Sequence, residues 1–288
     1  MLFYYAYSGH KNGLERVRRG AALMNALQSN GTEATLLVND FRAGLAAKEL
    51  GVKDYVTVES VQDIDAIAQT GDSIIIDSLE DDHGRLVKYC ADFKHVWRFA
   101  HSMDDKSIHG ETLLRAESKD ESDVDALIVE ASYYDVLKKE ERVLFFLGDS
   151  DYDKVILSNE TFFKSFDMEL LLGNYFFVKY EDDLAKLFNE LHEPEEYETL
   201  IHSSSMVVTS SSQTALEAKI AGAKVIYIDL IEDTIYPVAL LNTLGIESVK
   251  GLDAEAVQDL LNKKNSQDNK ETKKKVSGIS KKLIEHII

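Results

Sequence analysis

The sequence predicts an α/β protein with two doubly wound domains, each built on a parallel sheet. Short apolar runs that end in small or acidic residues alternate with helical patterns, which is typical of repeated βαβ units. This alternation starts afresh at "RVLFFLGDSD" (142–151). The chain has 288 residues, which is long for one ordinary core and favours two domains of about 130–150 residues.

The predicted strands fall into two series along the chain. The first is "LFYYAY", "ATLLV", "YVTV", "SIIID", "HVWRFA" and "DALIVE", and the second is "RVLFFLGDSD", "YFFV", "MVVTSS" and "KVIYID". A charged stretch over 135–143 separates the two series and indicates a domain boundary. We therefore expect domains over 1–139 and 140–270. After a polar loop, a terminal helix is expected over 271–288, and it could pack against the first domain or against a neighbour.

The composition argues against several classes of function. A formal net charge of −19 disfavours sequence-independent nucleic-acid binding and binding to anionic membrane surfaces. The N-terminal "MLFYYAY" is too short and too strand-like for a signal peptide or a membrane span. With Cys90 as the only cysteine, we expect a reducing, cytoplasmic setting. The spacings of a phosphate-binding P-loop and of a nucleophile elbow are both absent from the sequence, and no cofactor is predicted.

Turns that follow predicted strands are the first places to search for a ligand site, because open parallel sheets bind ligands beyond the carboxyl ends of their strands. The first such turn follows "LFYYAY" and is small and polar. Asn12 and Glu15 fit a capping box that would start a helix at Gly13. The spacing of the next residues predicts one buried face, made of Val17, Gly20, Ala21, Met24 and Leu27.

Three arginines open this helix in an otherwise acidic chain. Arg16 borders the predicted buried face, whereas Arg18 and Arg19 are predicted to point outward. They could be solvated surface charges that are partly balanced by Glu15. The alternative is that an anion meets the main-chain N–H groups and a guanidinium together at the helix N-terminus, and we favour this for Arg16.

The second turn follows "MVVTSS" and contains Ser210, Ser211, Ser212 and Gln213. A helix is predicted to follow, with Thr214 and Glu217 forming a capping box worth about 1 kcal/mol. Such a cap needs neither three serines nor the glutamine. The surplus hydroxyl and amide groups favour a ligand site.

The segment "SSSQTALEAKIAGAKVIYI" resembles the "S-G-x-x-T-x-x-E-A-x-x-x-G-x-P-x-I" segment of GT-B glycosyltransferases and their relatives, with Lys224 where proline is common. The order of "LFYYAY", "SIIID", "VLFFLGDSD" and "MVVTSSSQTALEA" is similar to the layout of the UDP-sugar hydrolase of pseudaminic-acid biosynthesis. Gly148 and Asp151 match the start of the second domain in this group, which includes peptidoglycan N-acetylglucosaminyltransferase-like enzymes.

The resemblance implies two Rossmann-like domains in a GT-B-like arrangement, with a cleft between them that encloses a nucleotide-activated, UDP-type sugar. It also implies that the terminal helix over 271–288 packs back on the first domain. It implies cleavage or transfer at the anomeric phosphate bond, in surface-glycan or flagellin-sugar metabolism. It also implies which residues bind the nucleotide sugar: Arg19, Ser210, Ser211, Ser212, Gln213, Thr214 and Glu217, with the serine turn receiving the diphosphate and Glu217 accepting from sugar or ribose hydroxyls.

One departure from the resemblance concerns catalysis. Arg16 stands where the hydrolase has its catalytic histidine, and an arginine stays protonated at any working pH, so it is no general base. His10, in the preceding turn, is a candidate base because its ordinary pKa suits proton transfer. The alternative is a non-catalytic, nucleotide-sugar-binding or scaffold relative that lost the chemistry. The sequence leaves the oligomeric state open.

Asp149 and Asp151 match the Asp-x-Asp pattern that binds divalent cations in some glycosyltransferases. So short a motif arises often by chance among 51 acidic residues. We therefore interpret it as the turn that starts the second domain, and we predict no metal site.

Overall fold

The computed structural model describes residues 1–118, 120–176, 178–230, 234–263 and 269–288. The chain forms two compact units, each drawn from separate stretches of sequence. The first unit contains Met1–Gly9, Arg16–Glu130 and Val276–Ile288. The second contains His10–Glu15 and Ala131–Lys275. Part of the predicted polar loop before the last helix, residues 264–268, lies outside the described residues.

The first unit contains a seven-stranded sheet with the order β3-β2-β1-β4-β5-β6-β7 and parallel pairing throughout. Its strands are β1 (Leu2–Ala6), β2 (Ala34–Val38), β3 (Tyr55–Thr57), β4 (Ser73–Asp77), β5 (His95–Phe99), β6 (Thr112–Arg115) and β7 (Val124–Asp125). The helices of this part of the chain are α1 (Glu15–Ser29), α2 (Phe41–Glu49) and α3 (Arg85–Asp92). The strand order reverses between β1 and β4, which is where doubly wound sheets bind ligands.

The second unit repeats this plan with six parallel strands in the order β10-β9-β8-β11-β12-β13. These strands are β8 (Glu140–Phe146), β9 (Glu169–Leu171), β10 (Leu191–His192), β11 (Ser204–Thr209), β12 (Lys224–Asp229) and β13 (Glu247–Lys250). The remaining helices are α4 (Val155–Ser158), α5 (Glu160–Phe163), α6 (Val178–Leu184), α7 (Tyr197–Ser203), α8 (Ser212–Ala221), α9 (Val238–Thr243), α10 (Ala254–Asn262) and α11 (Lys270–Ile287). The switch point lies between β8 and β11. The prediction of two doubly wound parallel α/β units is confirmed.

Each unit has its own apolar core, because the parallel strands are covered on both faces and carry continuous apolar runs. In the first unit the core includes Phe3, Tyr5, Ile74 and Ile76 from the central strands. In the second unit a larger cluster is rich in phenylalanine, and the Phe145 and Phe188 rings stack with centroids 5.9 Å apart.

Local predictions failed where apolar runs were ambiguous. Of "DALIVE" (125–130), only the first residue belongs to a strand, although residues 126–129 are buried. In "YFFV", Tyr175 and Phe176 lie in a turn, Phe177 is outside the described residues, and Val178 begins α6. The second strand of this unit is instead the three-residue β9, which is too short to leave a periodic signal.

The last helix, α11, contributes its residues from Val276 onward to the first unit. Val276 and Leu283 are fully buried there, and the Ser280 hydroxyl donates to the Leu127 carbonyl at 2.7 Å. The Trp97 and His286 rings lie 6.3 Å apart. Among the described residues, none of the helices has the length and apolar character that a membrane crossing requires.

A buried ion cluster in the first unit should make stability depend on acid pH. Arg98 donates to both oxygens of Asp105, at 2.6 and 3.0 Å, and to Glu111 at 3.1 Å. Burial opposes ionisation of Asp105, but the Arg98 guanidinium and the His101 N–H outweigh it and lower the pKa of Asp105 to about 2. This stabilisation is complete above about pH 4, the ordinary range of the carboxyl, and is lost as the pH falls to about 2.

We therefore expect Asp105→Asn to remove about 1–2 kcal/mol of stability at pH 6 and almost none at pH 2. Urea titrations of both proteins at several pH values measure the difference. The exposed Asp120 provides the control, since Asp120→Asn should leave the pH profile as in the wild type. If the difference in free energy of unfolding between the wild type and Asp105→Asn stays constant between pH 6 and 2, the assignment is contradicted.

Candidate functional site

The strongest candidate site lies at the switch point of the second sheet, where β11 ends and α8 begins. All ten residues of α8 are buried. The helix starts at Ser212, with Ser211 as its N-cap and with Gly222 in the left-handed region after its last residue. The predicted cap at Thr214 is therefore wrong by three residues. Ser211 takes that role because its Oγ accepts from the Thr214 N–H at 3.2 Å.

Three hydroxyls of the serine turn, residues 210–214, form hydrogen bonds within the local structure. Ser210 donates to the carbonyl of Leu147, which follows the neighbouring strand β8. Besides capping the helix, Ser211 Oγ accepts from Thr214 Oγ1 at 2.8 Å. Ser210, Ser211 and Thr214 are each at most 2 % exposed. These three side chains shape the turn.

Glu217 belongs to a buried network on the first two turns of α8. One of its oxygens accepts from Gln213 Nε2 at 2.7 Å, and the other accepts from the Tyr197 hydroxyl at 2.7 Å. Tyr197 OH also lies 2.7 Å from Thr214 Oγ1. This network ties α8 to the start of α7, and the Glu217 carboxylate is directed at protein donors.

The N-terminus of α8 holds an anion that the chain itself supplies. The Glu15 carboxylate accepts from the Gln213 main-chain N–H at 3.2 Å and from Ser212 Oγ at 3.3 and 3.4 Å. Ser212 Oγ in turn accepts from the Tyr236 N–H at 3.2 Å. The first N–H groups of a helix lack intrahelical acceptors and carry partial positive charge, so they favour a carboxylate or a phosphate.

Glu15 reaches α8 because the segment His10–Glu15 is packed as part of the second unit. The Ser150 hydroxyl donates to the His10 carbonyl, and the His10 ring lies 4.7 Å from the Tyr175 ring. Lys11 Nζ lies 5.2 Å from the centre of the Tyr152 ring. His10, the candidate base, is thus held beside an aromatic ring and is half-buried.

The same contacts explain why α1 begins later than predicted. It starts at Glu15 rather than at Gly13, which has a left-handed φ of 64°. Glu15 was predicted to form the capping box of α1 together with Asn12. Its carboxylate instead accepts a hydrogen bond from the Gln213 N–H of α8.

Arg16 and Arg19 converge on Asp77, at the end of β4 in the first unit. Arg19 donates to the two Asp77 oxygens at 2.6 and 3.0 Å, and Arg16 Nε lies 3.5 Å from one of them. The Tyr4 hydroxyl donates to the same carboxylate at 2.6 Å. The Arg19 guanidinium also stacks over Phe99, 3.7 Å from the ring centre. Both arginines thus contact the Asp77 carboxylate.

The prediction that Arg18 and Arg19 point outward is wrong. Arg16, Arg18 and Arg19 are 7 %, 5 % and 3 % exposed, because the first turns of α1 are buried all round rather than on one face. The arginines are therefore not solvated surface charges.

Asp151, weighed as a metal ligand, caps the short helix α4. Its oxygens accept from the N–H groups of Val155 and Ile156, at 2.6 and 3.2 Å, and from the Tyr180 hydroxyl at 2.5 Å. Burial and this hydrogen bond raise the pKa of Tyr180 above its ordinary value. The Asp-x-Asp pattern therefore serves a turn at the start of the second sheet.

Sequence reasoning missed two residues that organise these sites, Asp77 and Tyr197, and it did not predict the contact of Glu15 with α8. Asp77 ends the run "SIIID", and an acidic residue at the end of a central strand was an available signal. For Tyr197 the sequence gives no signal, because its contacts are made across 17 and 20 residues of chain.

No protein-family model matches the sequence, and no curated protein matches it. Solved structures do match its fold. S. aureus MnaA, determined with UDP, has a TM-score of 0.61 at 13 % identity, over 99 % of this chain and 95 % of that one. The glycosyltransferase SsfS6 of Streptomyces sp. SF2575, determined with thymidine diphosphate, has a TM-score of 0.60 at 8 % identity, over 99 % and 98 %.

The spinosyn rhamnosyltransferase SpnG, determined with spinosyn aglycone, has a TM-score of 0.59 at 12 % identity, over 100 % of this chain and 96 % of that one. The similarity thus spans whole chains, and the TM-scores of 0.59–0.61 show a shared fold. The closer resemblance to the UDP-sugar hydrolase stays a prediction. The chain has a GT-B-like fold, with two Rossmann-like units.

Proposed function

We propose that this protein binds a nucleotide-activated sugar, of the UDP type, and cleaves or transfers at its anomeric phosphate bond. One observation carries the proposal. The N-terminus of α8, at the switch point of the second sheet, presents the Gln213 N–H and the Ser212 hydroxyl to an anion. A fold shared with structures that hold UDP or thymidine diphosphate supports a diphosphate as that anion.

The contacts divide the predicted binding residues into two groups. Ser212 Oγ and the Gln213 N–H are proposed to receive the phosphate oxygens. Ser210, Ser211, Thr214 and Glu217 are proposed to position the turn, since their polar atoms bond within the unit. Arg16 and Arg19 are proposed to act through Asp77 rather than on the ligand. This differs from what the family resemblance implies for Arg19 and Glu217.

A thermal-shift panel tests the binding step. At a hundred times its dissociation constant, UDP stabilises the folded state by about 2.7 kcal/mol, which should raise Tm by about 5 °C or more. Uridine at the same concentration should give a much smaller shift, because it brings no phosphate to α8. We expect no requirement for Mg²⁺ or Mn²⁺, because donors of the protein occupy Asp151. Equal shifts with UDP and uridine would contradict phosphate recognition at α8.

A turnover assay on the UDP-sugar that gives the largest shift tests the chemical step. Release of UDP without an added acceptor indicates hydrolysis, and release only with an acceptor indicates transfer. We propose His10 as the base, so His10→Asn should lower the turnover number by at least tenfold while leaving the UDP shift intact. Unchanged turnover in His10→Asn would remove His10 from the mechanism.

A second function, binding without catalysis, is favoured by one observation. Arg16 stands where the hydrolase has its catalytic histidine, and its guanidinium is buried with Asp77. Under this alternative the protein is a nucleotide-sugar sensor or scaffold. UDP-sugar binding with no release of UDP, with or without candidate acceptors, would support it over the enzyme.

A further inference from the structure

The carboxylate of Glu15 lies where the proposed function requires a phosphate. Its oxygens are 3.2–3.4 Å from the Gln213 N–H and the Ser212 hydroxyl, the two donors assigned to the ligand. A carboxylate and a phosphate both accept hydrogen bonds through negatively charged oxygens, and both are favoured at a helix N-terminus. The two anions therefore compete for the same donors.

Glu15 is delivered to α8 by a well-anchored segment. The Ser150 hydroxyl fixes the His10 main chain, the His10 ring packs near Tyr175, and Gly13 passes close to Asp149. A group tethered in this way has an effective concentration in the millimolar range or above at its docking site. The carboxylate also lies near Tyr227, whose pKa is raised above its ordinary value by burial first and by the Glu15 charge second.

We propose that Glu15 is an internal competitor for the diphosphate, so that a nucleoside diphosphate binds only after this carboxylate has left the N-terminus of α8. This inference rests on the proposed function and assigns a specificity role to the same site. Uncharged ligands and weak anions fail to displace Glu15, whereas a diphosphate offers more charge and more acceptor oxygens. The contact thereby selects ligands that carry a diphosphate group, and it keeps common small anions from binding at the N-terminus of α8.

Competition of this kind has a quantitative consequence. If the site is open in about one molecule in ten, the apparent affinity is about tenfold weaker than the affinity of the open site. Glu15→Gln keeps the size of the side chain and removes its charge. It should therefore bind UDP about tenfold more tightly than the wild type, measured as Kd by isothermal titration calorimetry. Glu15→Ala should shift the affinity in the same direction.

Matched variants distinguish local competition from a general loss of negative charge. Glu141→Gln changes the net charge by the same amount at an exposed position of β8 and should leave the Kd for UDP unchanged. In the Glu15→Gln protein, adding Ser212→Ala should weaken UDP binding again and raise the Kd by about tenfold. The matched change Ser205→Ala, near the start of β11, should not affect it. Far-ultraviolet circular dichroism confirms folding for each variant.

The outcomes separate this inference from the proposed function. Tighter UDP binding by Glu15→Gln, with an unaffected Glu141→Gln control, supports competition. Equal or weaker UDP binding by Glu15→Gln overturns it, while leaving the nucleotide-binding proposal intact. A parallel titration uses inorganic pyrophosphate as the probe. If Glu15→Gln binds pyrophosphate more tightly than the wild type but neither binds UDP, the competition stands and the nucleotide proposal fails. If neither probe binds to Glu15→Gln, both proposals are overturned.

Discussion

Replacing Asp77 by asparagine should lower the free energy of unfolding by about 3–5 kcal/mol, because buried charges that lose their counter-charge are strongly destabilising. The Asp77 carboxylate is 1 % exposed and accepts from Tyr4 and Arg19, with Arg16 Nε close to it. Asparagine keeps the shape of the side chain, but its NH₂ group cannot accept hydrogen bonds from these donors. Scanning calorimetry should show a Tm lower by roughly 10 °C.

Two comparisons isolate the charge cluster as the cause. Asp81→Asn, four residues along at a side chain that is 75 % exposed, should change stability by less than about 0.5 kcal/mol. Arg19→Met in the Asp77→Asn protein should recover part of the lost stability, since it removes one of the buried positive charges that have lost their counter-charge. If Asp77→Asn and Asp81→Asn unfold at the same temperature, Asp77 does not hold the arginines.

Replacing Gly173 by alanine should destabilise the second unit by about 3 kcal/mol, at the upper end of overpacking effects. A Cβ at this position would lie 2.5 Å from the main-chain carbon and oxygen of Asp149. Main chain cannot swing aside as a long side chain can, and the Tyr175 N–H bonds the same Asp149 oxygen at 2.9 Å. Urea denaturation of the variant measures the loss.

Gly278→Ala is the matched control for this prediction. Gly278 lies inside α11, and a Cβ there would meet no atom within 4 Å. Because alanine is the better helix former, this variant should be more stable than the wild type by about 0.5–1 kcal/mol. A Gly173→Ala protein as stable as the wild type would show that the close approach to Asp149 is relaxed in solution.

The fold was largely predictable because its main signals are local. Runs such as "SIIID" and "KVIYID" are short, apolar and bounded by turns, and they became β4 and β12. The strands that the sequence did not predict are short or of mixed composition, such as "ELL" in β9 and "TLLR" in β6. Their pairing is determined by neighbours that lie far along the chain, which a local pattern does not contain.

The position of the candidate site in the sequence was predictable, but the contacts between its residues were not. The serine turn was found because polar residues followed an apolar strand, which is a local observation. That Ser212 contacts Glu15, 197 residues away, depends on tertiary structure. The arginines of α1 were misplaced for a related reason. A helical wheel assumes that a helix has a solvent side, and the start of α1 does not have one.

The order along the chain of the segments that form each unit determines when that unit can finish folding during synthesis. The last portion of the first unit, Val276–Ile288, is separated from the rest of that unit by the whole of Ala131–Lys275. At translation rates of about 5–20 residues per second, this intervening stretch takes roughly 7–30 s to produce. Throughout that interval the surface that receives Val276 and Leu283 has no cover. The first unit to emerge from the ribosome is therefore completed last, and the nascent chain exposes an apolar patch that chaperones can recognise.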